Sequence, residues 1–139
     1  RIVQRERLCE LLPAGHPLAR RRRIPVPALR DEPMVLGNPE AWAPFRALVA
    51  RLCADAGFEP HVVQEAFNSD GIFGLVAAGL GLTLYVDGPG GRSREGTVTR
   101  PLAPCPAEVQ TVAAWHREND SPVLARFLAT VAAVSPAPS

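Results

Sequence analysis

The sequence predicts an α/β fold with a largely parallel sheet. Three observations carry that reading. Short runs rich in leucine and valine alternate with longer runs whose apolar residues recur at three- and four-residue steps. One block, residues 62–86, reads strand, capped helix, glycine turn and strand in succession. The chain, at 139 residues and 47% hydrophobic, fits one ordinary domain with a real core.

The elements follow in order. Residues 8–12 read as a short strand ended by Pro13 and Gly15, and His16-Pro17 begins a turn. Residues 20–23 are four consecutive arginines. A phosphate-binding patch is one reading and a solvated loop the other. No aromatic residue interleaves with them, which favours the loop. Residues 25–30 suit a single helical turn, and residues 33–36 a short buried strand followed by a loop, Gly37-Asn-Pro-Glu40. Residues 42–56 form the first long helix. Trp42, Phe45, Leu48, Val49, Leu52, Cys53 and Ala56 lie on one face, Pro44 falls in the tolerant first turn, and Gly57 ends it.

Residues 61–66 are the next strand. Asn68 or Ser69 can cap the helix after it, because a short side-chain oxygen accepts from a free first-turn N–H. Ile72, Phe73, Leu75, Val76 and Leu80 give that helix its apolar face. Gly79 and Gly81 suit its end, where positive φ is cheap without a Cβ. Leu82, Leu84 and Val86 alternate with Thr83 and Tyr85 in a buried strand. Residues 87–96 read as a mobile, glycine-rich loop. Residues 98–102 and 109–115 are further strands, separated by a proline-rich connector. Ser121 caps a last helix with Pro122 at its first position, and Val123, Leu124, Phe127, Leu128, Val131 and Val134 form a core stripe. The tail, 135–139, is expected to be disordered.

Composition narrows function. All 15 basic residues are arginine, which excludes a Walker-type or Schiff-base lysine. The net charge of +1 argues neither for nor against nucleic acid. Cys9, Cys53 and Cys105 are odd in number and widely spaced, so neither a disulfide framework nor a zinc site is expected, and a reducing cytoplasm is. The uncharged run 71–86 is too short and too rich in glycine for a membrane span. No nucleophile elbow occurs, and His16, His61 and His116 lack metal-ligand spacing. Glu40, Glu65 and Asp70 would serve as acid–base groups only if the fold gathered them. No metal, no cofactor and no enzymatic activity are expected.

Binding is the better hypothesis. In a parallel sheet, strand ends line one edge, where ligands bind. Gly37, Asn38 and Pro39 follow one strand end, Phe67, Asn68 and Ser69 a second, and Tyr85 closes a third. Ser69 and Asn68 would donate to a carboxylate, helped by the helix N-terminus. Phe67, Ile72 and Tyr85 would form apolar walls, and Asp70 counts against a strongly anionic ligand. The same residues also read simply as cap and core.

Five segments carry a family resemblance. Leu75-Val-Ala-Ala-Gly-Leu-Gly-Leu-Thr-Leu84, Leu12-Pro-Ala-Gly-His-Pro-Leu-Ala19, Leu29-Arg-Asp-Glu-Pro-Met-Val-Leu36, Cys53-Ala-Asp-Ala-Gly-Phe-Glu-Pro60 and Ser121-Pro-Val-Leu-Ala-Arg-Phe-Leu128 occur in the order and spacing of LysR-type transcriptional regulators. The chain resembles the effector-binding domain of that family. The resemblance implies a two-lobed fold similar to type 2 periplasmic binding proteins. Residues 1–15 would be a first-lobe remnant and crossover strand, and 16–108 the second lobe. Residues 109–134 would be a crossover strand and first-lobe helix.

It further implies a small-molecule effector, often an organic or aromatic acid, that alters oligomer geometry and transcription. Operator DNA would be bound only through an N-terminal helix-turn-helix that this sequence lacks. Most of the first lobe is also without counterpart, so a fragment of a longer protein is expected. The helix at 42–56 resembles the family's dimer-forming helix, and a homo-oligomer is implied for the parent. Two rivals remain: a solute-binding protein of a transport system with the same fold, and a small α/β enzyme.

Overall fold

The computed structural model describes residues 1–87, 94–104 and 108–134. The expected mobile loop falls mostly on 88–93, and the expected disordered tail on 135–139. Both lie outside the described residues, as does Cys105.

Seven strands and three helices are described in this order: β1 (Ile2–Pro13), β2 (Ile24–Pro25), β3 (Pro33–Gly37), α1 (Ala43–Asp55), β4 (His61–Ala66), α2 (Ser69–Ala77), β5 (Thr83–Asp87), β6 (Thr97–Ala103), β7 (Val109–Val112) and α3 (Pro122–Val134). Two 3-10 turns, Pro17–Arg20 and Val26–Leu29, flank β2.

β1 is the organising strand. It is antiparallel to β5, β6 and β7, while β2 is parallel to β6 and β3 to β4. Leu82, just before β5, bridges Met34 of β3 in parallel. It follows that β1 alone runs against the others. The expected common direction holds for six strands, but because β1 lies between β5 and β6, most of the ladders are antiparallel. β1 is also longer than the expected 8–12. Its first half, Ile2 to Glu6, pairs with β7; its second half, from Arg7 on, pairs with β5 and β6.

Period-2 alternation divides the core. Leu8 and Leu12 of β1 join Ile24, Leu29, Met34, Val49, Cys53, Leu82 and Leu102 in one cluster, covered by α1 and the 3-10 turns. Leu11 faces the other way and joins Val35, Ile72, Phe73 and Val76 under α2. Cys53 is a core thiol, as expected. Burial, with a further contribution from Glu10, pushes it up to about 11, which keeps it protonated and unreactive.

Glu10 occupies the inward position between Leu8 and Leu12. It has no exposed surface, and neither carboxylate oxygen has a hydrogen-bond partner. Burial, reinforced by the charge of Glu32, holds it well above the ordinary carboxylate value. Arg100 stands opposite it on β6, but its guanidinium donates to the carbonyls of Ala19, Arg21 and Thr99.

Three expectations are corrected. The stripe on α3 is not core: only Val131 is buried, while Val123 and Phe127 are 75% and 55% exposed. The two described clusters are already closed by α1, α2 and the 3-10 turns. Only one edge of the stripe packs, Leu124 and Leu128 half-buried together with buried Val131, and β7, which precedes α3, leaves its own Gln110, Thr111 and Val112 exposed. Gly79 does take positive φ at the end of α2, +82°. Gly81 serves close approach instead: a Cβ there would lie 2.5 Å from the carbonyl oxygen of Pro33. Leu80, expected on the apolar face of α2, is 43% exposed.

Candidate functional site

Because β3, β4 and β5 run the same way, their C-terminal ends meet at one edge. Asn38 N donates to Ala66 O at 2.9 Å and ties the first two ends together. Arg46 of α1 adds a second tie: its Nη1 donates to Gly37 O at 2.8 Å and pairs with Glu65 at 3.0 Å. Glu65 is thus occupied by a structural ion pair and is not gathered with Glu40 or Asp70 into an acid–base group.

Gly37 is where Trp42 enters the site. A Cβ on Gly37 would fall 2.1 Å from Trp42 Cγ, so only glycine lets the indole lie against the strand end. Trp42 Nε1 donates to Phe67 O at 3.2 Å, fixing the ring to the turn before α2. Phe45 meets the indole edge-on at 6.2 Å.

α2 supplies the polar part. Asn68 is its cap, with Oδ1 accepting from Gly71 N at 2.8 Å, and Ile72 N donates to Asn68 O. Among the described residues, the N–H groups of Ser69 and Asp70 have no protein acceptor, and they carry the positive end of the helix. Asp70 is ion-paired with Arg94, whose guanidinium also lies over the Phe73 ring at 5.1 Å. That pairing cancels much of the repulsion Asp70 would exert on an anion. Phe73 packs edge-on against Tyr85 at 5.1 Å. Replacing Asn68 with alanine removes the cap and is expected to cost about 1 kcal/mol of stability, readable in urea unfolding.

These residues enclose an apolar cleft of about 190 Å³, walled chiefly by Trp42, Phe45, Ile72, Phe73, Thr83 and Tyr85, with Ser69 at its polar end. Four of the eight sequence-derived site residues line it: Gly37, Ser69, Ile72 and Tyr85. The other four do not. Phe67 points outward and is 84% exposed, because its backbone oxygen, not its ring, is held by Trp42. Asn68 is committed to capping. Pro39 is exposed on the turn, and Asn38 lies beside the cleft with Oδ1 buried and unpartnered. Trp42 and Phe45, read from sequence as the core stripe of α1, are cleft walls; a glycine five residues before a tryptophan was the available signal.

The histidines play local roles. His16 Nε2 meets Glu32 at 3.1 Å while its Nδ1 accepts from Leu18 N. His61 and His116 are exposed. Among the described residues, no cluster of His, Cys, Asp and Glu gathers to hold a metal ion, and no helix is long and apolar enough to cross a membrane.

Three comparisons bear on this geometry. The family profile described as LysR substrate binding domain matches residues 1–136. The transcriptional regulator AlsR of Bacillus subtilis is 31% identical over 117 residues, which cover 84% of this chain and 39% of that protein. The chain therefore spans about two-fifths of that curated relative. The C-terminal domain of a LysR family regulator from Rhodococcus sp. RHA1 superposes with TM-score 0.82 at 32% identity, over 94% of this chain and 65% of that one. The Synechocystis CcmR regulatory domain, in complex with 2-PG, shares the fold at 20% identity, with TM-score 0.80 over 99% of this chain and 66% of that one.

Proposed function

From the premise that this chain belongs to the LysR substrate-binding domain family, we propose that the cleft at the ends of β3, β4 and β5 is its effector site. The effector would be a small organic acid with an aromatic or apolar body. The observation that carries this reading is the convergence of a capped helix N-terminus, with two free N–H donors, on a cleft walled by four aromatic rings. Ser69 and the first N–H groups of α2 would take one carboxylate; Trp42, Phe45, Ile72, Phe73 and Tyr85 would hold the body. No cationic side chain lines the cleft, which favours a single acidic group over a polyanion.

In the parent regulator, residues 16–108 would form the second lobe, with 1–15 and 109–134 crossing to the first. The effector would bias two oligomer arrangements, binding one more tightly than the other. A second copy would dock through α1, and operator DNA would be bound by a separate N-terminal domain. The protein would act in the cytoplasm as a sensor and not as an enzyme.

Titration with benzoate, followed by Trp42 fluorescence in a Trp115→Phe background, tests the site. Saturable quenching is expected, and Ser69→Ala should weaken it about tenfold, since a hydrogen bond to a charged group contributes about 1.5 kcal/mol or more. An affinity untouched by both Ser69→Ala and Phe73→Ala would remove the cleft from consideration.

A further inference from the structure

The four arginines at residues 20–23 take no part in either hydrophobic cluster or in the effector cleft. All four are exposed. Among the described residues none of them is ion-paired: Glu32, Glu65, Asp70 and Glu108 answer instead to His16, Arg46, Arg94 and Arg5. The chain as a whole carries +1, so with this run set aside the remainder stands at −3. Four unneutralised positive charges are thus concentrated at one point of an otherwise acidic chain.

The run is also braced. Leu18 and Ala19 are buried just before it, and Ile24 of β2, fully buried, follows it. Arg21 N donates to Leu18 O at 3.0 Å. From β6, Arg100 Nε donates to Ala19 O and to Arg21 O, each at 3.0 Å. A loop that served only solvation would need none of these ties. Glu10, in register with Arg100, accepts no hydrogen bond from it, so that guanidinium adds its charge behind the bend. A backbone already fixed in this way loses less freedom when a partner docks.

Four residues span at most about 14 Å, a length over which duplex DNA carries about eight phosphate charges. Guanidinium is weakly hydrated and its fork matches phosphate oxygens, so arginine suits such a densely charged backbone. No aromatic residue interleaves with the run, which leaves bases nothing to stack on and argues against single strands. The chain's relative AlsR is a transcriptional regulator of the helix-turn-helix type. We propose that residues 20–23 are a sequence-independent contact to the backbone of duplex DNA, supplementing a separate DNA-binding domain. Phosphate contacts of this kind position a protein on the duplex and carry no sequence information. Along the sheet order β2-β6-β1-β5, the run adjoins β2 and the effector cleft adjoins β5. The two sites are separate, and the DNA contact does not depend on the effector reading.

Fluorescence anisotropy of a labelled duplex of about 20 base pairs and arbitrary sequence, titrated with the full chain between about 20 and about 150 mM salt, tests the contact. Binding should strengthen as salt falls, with a log–log slope of about −3 to −4, near −0.9 for each of four phosphates. Arg22→Gln combined with Arg23→Gln should halve the slope and weaken binding more than tenfold at about 20 mM salt. Arg117→Gln combined with Arg126→Gln removes the same charge from exposed positions elsewhere and should leave the slope unchanged. No binding at about 20 mM salt overturns the proposal. So does an equal loss in the two double variants, which would mean that diffuse charge alone is at work. Poly-glutamate binding as tightly as the duplex would assign the run to an acidic protein instead and overturn it too.

Discussion

Replacing Glu10 with methionine is expected to stabilise the protein at about pH 8 by about 1–3 kcal/mol, the usual cost of a buried polar group left unpaired. The side chain lies between Leu8 and Leu12 with both oxygens unsatisfied. A thioether of similar length leaves nothing to desolvate. The pH dependence follows from the same burial. The folded state binds the Glu10 proton more tightly than the unfolded chain, whose value is near 4.5. Stability therefore falls as pH rises above that value, by at most about 1.4 kcal/mol per unit, until the raised folded value is passed. Urea midpoints between about pH 5 and about pH 8 should thus decline more steeply in the wild type than in Glu10→Met. Parallel pH profiles for the two proteins would show that Glu10 is not the titrating group. Glu10→Gln, which removes the proton but keeps a polar head, should flatten the profile with a smaller gain.

Three glycines within one short stretch are expected to respond in three ways to alanine. Gly81→Ala is the severe case, at about 2–4 kcal/mol of destabilisation, because overpacking against backbone has no flexible neighbour to yield. The added methyl meets the Pro33 carbonyl at 2.5 Å. That carbonyl accepts Leu82 N at 2.9 Å, and Val35 N donates to Leu82 O at 2.9 Å. These two bonds join β3 to the rest of the sheet, so the clash falls where the candidate effector cleft is assembled. Gly79→Ala should cost about 1 kcal/mol for its positive φ alone. Gly74→Ala, mid-helix with open space around the new methyl, should gain about 0.5–1 kcal/mol from helix propensity. Urea denaturation of the three variants gives the order directly; a Gly81→Ala protein as stable as Gly74→Ala would contradict the close approach.

The parts of the fold that local chemistry specifies were legible. β4 matches its expected span, α2 starts at the Asn68 cap, and α1 and α2 end at the positive-φ glycines Gly57 and Gly79. What was not legible depends on distant partners. The first half of β1 carries Gln4, Arg5 and Glu6, an unpromising strand until β7 pairs with it from more than a hundred residues away. The stripe on α3 has the periodicity of a buried helix, and periodicity cannot say whether a covering surface exists. In the candidate site, the strand-end rule found Gly37, Ser69, Ile72 and Tyr85, because backbone direction alone brings them together. It missed Trp42 and Phe45, since an aromatic on a helix face reads as core whichever side of the core it walls. Glu10 was readable as a charge at an inward position, but alternation alone does not announce that no partner waits for it.

The isolation of β1 has a consequence during synthesis. It emerges from the ribosome before any strand it pairs with. Leu8 is opposite Val86, so at common elongation rates its partner arrives roughly 4–16 seconds later. Until then Leu8, Leu11 and Leu12 are three bare leucines on an unpaired strand. Chaperone demand should therefore be concentrated in nascent chains stalled before β5 and should drop once β6 has cleared the exit tunnel.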